Sequence, residues 1–163
     1  MGLSIPGPAL NRRNLQGIYA PRSSRATFVG GAQPPGESEV QRMNPQRVAM
    51  ILKVTGWKML REGSFNLNLP DRAVLDSLLE LRPVWTEVGS SVIYPSPFKH
   101  IPIQRGPYLY YRGEVNVHCE PRDILIRRPS NPIMNRAELY APFSIAEELQ
   151  FGGGECLSVV ARD

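Results

Sequence analysis

The chain has 163 residues, 42% of them apolar, with 16 prolines, 14 glycines and a formal charge of +4. That length suits one domain with a real core, and the proline and glycine content calls for many turns and short elements rather than long helices. No apolar run approaches the roughly 18 residues of a membrane-crossing helix and no apolar signal segment stands at the start, so the expectation is a cytoplasmic protein.

Residues 1–25 hold Pro6, Pro8, Pro21, the pair Arg12-Arg13 and Ser23-Ser24-Arg25 without periodicity, and read as a mobile basic arm ahead of a single domain over 26–163. Arg25 to Val29 reads as the first strand, followed by a loop of turn formers from Gly30 to Gly36. A helix follows: Asn44 is a good N-cap, Pro45 fits the first helical position, Val48, Ile51, Leu52 and Thr55 share a face, and Gly56 stops it. Phe65 to Leu69 alternates apolar and polar like a half-buried strand, and a second helix after Asp71 turns Val74, Leu75, Leu78 and Leu79 inward.

Between Pro83 and Pro107 prolines are frequent, with short edge strands expected at Val92–Tyr94 and Ile101–Ile103. Tyr108–Arg112, Glu114–His118, Asp123–Arg127 and Glu138–Ala141 read as strands, with a tight turn at Arg112-Gly113. Ser144-Ile145-Ala146-Glu147 has the form of a capping box, Gly152–Gly154 of a turn, and Glu155–Ala161 of a last strand. About six strands with two or three short helices predict a mainly β fold, a small closed six-stranded β-barrel.

The mild positive charge fits an anionic partner such as a nucleotide and fits plain solubility equally well. Cys119 and Cys156 lack metal-ligand spacing and read as small buried residues rather than a disulfide; His100 and His118 lack the companions a zinc site needs. Neither the Walker pattern nor the protein-kinase motif set is present. Ser64 and Asn66 are i and i+2 on a strand, so their oxygens share a face, and glycines such as Gly30, Gly31 and Gly36 let backbone N–H groups approach an anion.

Three stretches in this order carry more: Gly63-Ser64-Phe65-Asn66 behind Val54-Thr55-Gly56-Trp57, then Ile126-Arg127-Arg128-Pro129 with Glu138-Leu139-Tyr140-Ala141-Pro142, then Gly152-Gly153-Gly154-Glu155. Together they resemble the archaeal-type CTP-dependent riboflavin kinase family, whose fold is a cradle-loop barrel. The resemblance implies phosphoryl transfer from CTP to riboflavin, giving FMN. By position Ser64 and Asn66 would hold Mg²⁺, Glu138 would contact the flavin, and Gly30, Gly31 and Gly36 with Phe143, Ser144, Ile145 and Ala146 would contact the nucleotide. It covers roughly residues 27–69 and 108–160. The chain departs from the pattern at Pro34-Pro35 inside the glycine loop and at Pro132, where the family has a flavin-contacting threonine.

Two alternatives stand beside kinase chemistry. One is a non-catalytic nucleotide- or flavin-binding barrel, motivated by Pro132 and the altered glycine loop. The other is a nucleic-acid or protein interaction module, in which the basic arm over residues 1–25, Arg127-Arg128 and the aromatic group Tyr108, Tyr110 and Tyr111 form a stacking and phosphate-contacting surface.

Overall fold

A computed structural model describes residues 11–21, 43–61, 63–93 and 102–163. Strands β1 (Arg12–Tyr19), β2 (Phe65–Asn68), β3 (Trp85–Glu87), β4 (Ser90–Ile93), β5 (Pro102–Arg105), β6 (Tyr108–Val117), β7 (Glu120–Pro129), β8 (Arg136–Tyr140) and β9 (Cys156–Arg162) alternate with helices α1 (Pro45–Thr55), α2 (Arg72–Asp76) and α3 (Ile145–Leu149). The main sheet runs β3-β6-β7-β8-β2-β1-β9, every described pairing is antiparallel, and β9 returns to β6. The six strands from β6 round to β9 therefore close into the expected barrel, with β3 added outside the ring and β4–β5 forming a separate ribbon. No helix among the described residues is long and apolar enough to cross a membrane.

Alternation along the strands sorts the side chains. Tyr111, Ile126, Leu139 and Phe65 are successive register partners around the wall, all buried in the barrel core with Leu15, Leu67, Val115 and Val159. Each fully buried aliphatic side chain of this kind contributes about 1.5–3 kcal/mol. The next row faces outward: Trp85, Tyr110, Arg127, Glu138 and Asn66 are also register partners in turn. A second cluster of Ile51, Tyr110, Leu125 and Tyr140, with Trp57 and Trp85 against it, covers part of this outer face. Ile51 is the buried residue of α1, so this helix is packed on the outside of the barrel wall.

The local signals for α1 are met. Asn44 accepts from Gln46 N at 2.8 Å, and Gly56 adopts φ 76° while its N–H reaches Leu52 O. Asp71 caps α2 by accepting from Val74 N at 3.0 Å. After α2 the chain tightens into a 3-10 turn over Ser77–Glu80. The three-residue period keeps Leu75 and Leu78 inward and rotates Leu79 out to 53% exposure, against the expectation of four inward residues.

Four other expectations are corrected. Arg12–Tyr19, read as part of a mobile arm, is strand β1, paired with β9 on one edge and β2 on the other. Arg112-Gly113 is not a turn but the middle of β6, and the turn is at His118-Cys119, where φ values of 51° and 67° suit a two-residue hairpin. Cys119 and Cys156 are free and exposed rather than buried. The Ser144 hydroxyl caps α3 by accepting from Glu147 N at 3.2 Å, but the Glu147 carboxylate lies 3.8 Å from Arg61 instead of closing the capping box. The expected first strand at Arg25–Val29 lies outside the described residues, whereas the ribbon expected near Val92 and Ile103 is present, with those two residues in register.

Candidate functional site

Gly63 takes φ 100°, a left-handed conformation that suits glycine, and turns the chain into β2. The strand then sends Phe65 into the core and keeps Ser64 and Asn66 together, the Ser64 hydroxyl donating to Asn66 Oδ1 at 3.3 Å. On the other side of the chain's path, Ala141 ends the apolar run of β8, Ser144 caps α3, and Ile145 anchors that short helix in the core. The two segments meet at a cavity of about 160 Å³ lined by Gly63, Ser64 and Phe65 from one side and Ala141, Phe143, Ser144, Ile145 and Ala146 from the other. Ser64 and Phe143–Ala146 are thus brought to one place.

Asn66 and Glu138 do not line that cavity. They are direct register partners on the outer face of the wall, next to it. Asn66 is 5% exposed. The Glu138 carboxylate is 2.9 Å from Arg127 Nε and accepts from the Tyr140 hydroxyl at 3.4 Å. Arg127 lies 3.9 Å over the Tyr108 ring, and its Nη1 is buried without a hydrogen-bond partner. The Tyr110 hydroxyl donates to Glu87 at 2.9 Å, and Arg47 holds the other oxygen of that carboxylate. Burial pushes the Tyr110 and Tyr140 phenols far above their ordinary range, so both remain donors at any physiological pH. Glu138 is therefore engaged by neighbouring side chains.

The oxygen donors fit an incomplete shell for a hard cation. Ser64 Oγ and Asn66 Oδ1 are close enough to converge on one ion, but both are neutral. Among the described residues no group of three or more His, Cys, Asp or Glu could hold a metal. Mg²⁺ at such a pair needs phosphate oxygens and water to complete its six ligands. Gly30, Gly31 and Gly36 lie outside the described residues.

Two cavity residues carry no motif signal. Tyr19, at the end of β1, stacks on Phe65 with ring centroids 4.1 Å apart. Partial burial, and then the nearby Glu155, raise its phenol. Arg61 is fixed by its backbone N–H, which donates to Ala141 O at 2.9 Å, while its side chain is 59% exposed. Tyr19 escaped because it sits in a segment without periodicity, and Arg61 because a lone arginine between elements has no pattern. The closing glycines act differently: the Glu155 carboxylate accepts from Gly152 N and Gly153 N at 2.6 Å, and Gly154 N donates to Tyr19 O. They hold the end of β1 that presents Tyr19.

The surface proposed for nucleic-acid stacking is not available in that form. Tyr110, Tyr111 and Arg128 are at most 1% exposed and Arg127 is 8% exposed. Arg128 instead donates to Leu75 O at 3.0 Å and Asp76 at 2.9 Å, tying β7 to α2. No family model matches this sequence, and a search of curated proteins finds no match.

Proposed function

We propose that the chain is a CTP-dependent phosphotransferase that converts riboflavin to FMN. The observation that carries this reading is the convergence of Ser64 with Phe143–Ala146 on one cavity, beside the Ser64–Asn66 oxygen pair. These segments are remote in sequence, one within Gly63–Asn66 and the other directly after Glu138–Pro142, and both are assigned to the site by the resemblance. In this reading Ser64 and Asn66 hold Mg²⁺, which when bound neutralises phosphate charge. Phe143, Ser144, Ile145 and Ala146 seat the nucleotide, with the loop containing Gly30, Gly31 and Gly36 assigned to its phosphates by resemblance. Glu138 faces the acceptor, positioned by Arg127 and Tyr140. Catalysis then rests on positioning and on electrostatics in a partly enclosed site rather than on a strong base. Two exposed free thiols suit a reducing compartment, and the proposed setting is the cytoplasm.

Incubation with riboflavin, Mg²⁺ and each nucleoside triphosphate, followed by chromatography, tests the reading directly. FMN should form with CTP and in preference to the other donors; no FMN with any donor overturns it. A specific observation favours a second reading, a binding barrel without turnover. Glu138 is held by an ion pair, and Pro132 stands where the family has a hydroxyl. Calorimetry showing FMN or CTP binding without product formation would select that version.

A further inference from the structure

We infer that Arg61 and Tyr19 determine what the cavity accepts: a planar ring packed on Tyr19, bearing phosphates that Arg61 engages at the mouth. This inference deepens the proposed function and rests on it. The cavity has two aromatic boundaries besides Phe65. Tyr19 is backed by Phe65 at 4.1 Å with the planes 12° apart, so its orientation is set before any ligand arrives. Phe143 has the Arg122 guanidinium 4.0 Å over its ring, which fixes it and adds positive charge nearby. At about 160 Å³ the space falls short of the roughly 300–1,000 Å³ that encloses a whole drug-sized ligand. It suits one ring, with the rest of the ligand left over the opening.

Arg61 is the cation among the cavity's lining residues. Its backbone is pinned to Ala141, yet its side chain is more than half exposed and touches Glu147 only at 3.8 Å. An exposed pair of this length contributes little, so the guanidinium turns toward a phosphate at small cost. A guanidinium binds phosphate through two parallel N–H donors, which a lysine cannot reproduce. Among the described residues, the Glu147 carboxylate lies beside Arg61, and that of Glu155 is occupied by the Gly152 and Gly153 N–H groups. Neither Tyr19 nor Arg61 lies in a family motif, so the pair marks what this particular chain adds to the site.

The test is calorimetry with CTP, cytidine and inorganic tripolyphosphate on the full chain, with thermal midpoints recorded for each variant. Arg61→Ala should weaken CTP and tripolyphosphate by about tenfold, the scale of one lost charge-assisted contact, while cytidine affinity stays unchanged. Arg61→Lys should recover only part of the CTP affinity. Tyr19→Leu should weaken cytidine and CTP by the same factor. Unchanged CTP affinity in Arg61→Ala, or an equal loss for cytidine, overturns the assignment of Arg61; a Tyr19→Leu variant that binds cytidine normally overturns that of Tyr19. Should wild type produce FMN while Arg61→Ala binds CTP normally, this inference alone fails. Should wild type neither bind CTP nor form FMN, the proposed function fails and takes the inference with it.

Discussion

At the scale of single residues, buried charge is where this protein is most sensitive. Arg128 is 1% exposed, and its guanidinium satisfies a backbone carbonyl of α2 as well as Asp76. Arg128→Ala removes charge-assisted bonds and leaves a void, and should cost about 3 kcal/mol in a denaturant titration. Glu155 behaves differently because it is only partly buried. Desolvation is the largest single influence and works against its ionised form, but the backbone N–H groups of Gly152, Glu155 itself and Gly153 together outweigh it and hold the carboxyl below its ordinary value. A depressed pKa adds stability that is present above the unfolded value and lost as pH falls through the folded one. Glu155→Gln should therefore lower the thermal midpoint near neutral pH, and the gap to wild type should close below about pH 4. A gap independent of pH would contradict the ionic account. Asn66→Ala should abolish Mg²⁺-dependent FMN formation while a cooperative melt at a modestly lower midpoint shows the fold intact, because the side chain is buried and bonded to Ser64.

At the scale of elements, β6 decides how the barrel closes. One edge pairs with β7 along the whole strand, while the other pairs with β3 over Tyr108–Tyr110 and with β9 over Arg112–Val115. Gly113 sits at that seam. A Cβ added there would meet Val160 O and Ile126 Cδ1, both at 2.7 Å. The glycine that looked like a turn signal is a close approach of two backbones, which is a second physical use of the same residue. Gly113→Ala should destabilise by about 1–3 kcal/mol through overpacking, read as a lower denaturant midpoint. Helix α1 shows the opposite situation: its cap, first-position proline, apolar face and stop glycine are local and agree with one another. Gly56→Ala, at φ 76° with open space around it, should cost about 1 kcal/mol through backbone strain alone.

At the scale of the whole molecule, closure of the barrel assembles the candidate site. The inner row of Tyr111, Ile126, Leu139 and Phe65 stabilises the wall, and the outer row of Arg127, Glu138 and Asn66 follows from it by alternation. A register slip of one residue would exchange the two rows, so core packing and site assembly depend on the same pairing. Strand β1 completes the ring and carries Tyr19 to the cavity. Truncating residues 1–19 should therefore lose cooperative unfolding in a thermal melt. A truncated chain that still melts cooperatively at the full-length midpoint would argue against β1 as a wall strand.

The sequence by itself determined the elements whose signals are short-range. These are α1 with its cap and stop, a second helix after Asp71, the β-rich character, and Ser64 and Asn66 on one strand face; the barrel class followed from the number of short strands rather than from any local signal. The sequence also singled out Ser64 within Gly63–Asn66 and, through a family resemblance, Phe143–Ala146 just after Glu138–Pro142, and these line one cavity. The tertiary structure alone decided which strands neighbour one another, because ladder bonds join backbones and leave no mark on side-chain pattern. Arg12–Tyr19 shows this: Leu15 is its one fully buried apolar side chain, and two flanking strands make it a strand. The same holds for Glu138, whose pairing with Arg127 and register with Asn66 arise only when β2, β7 and β8 lie side by side.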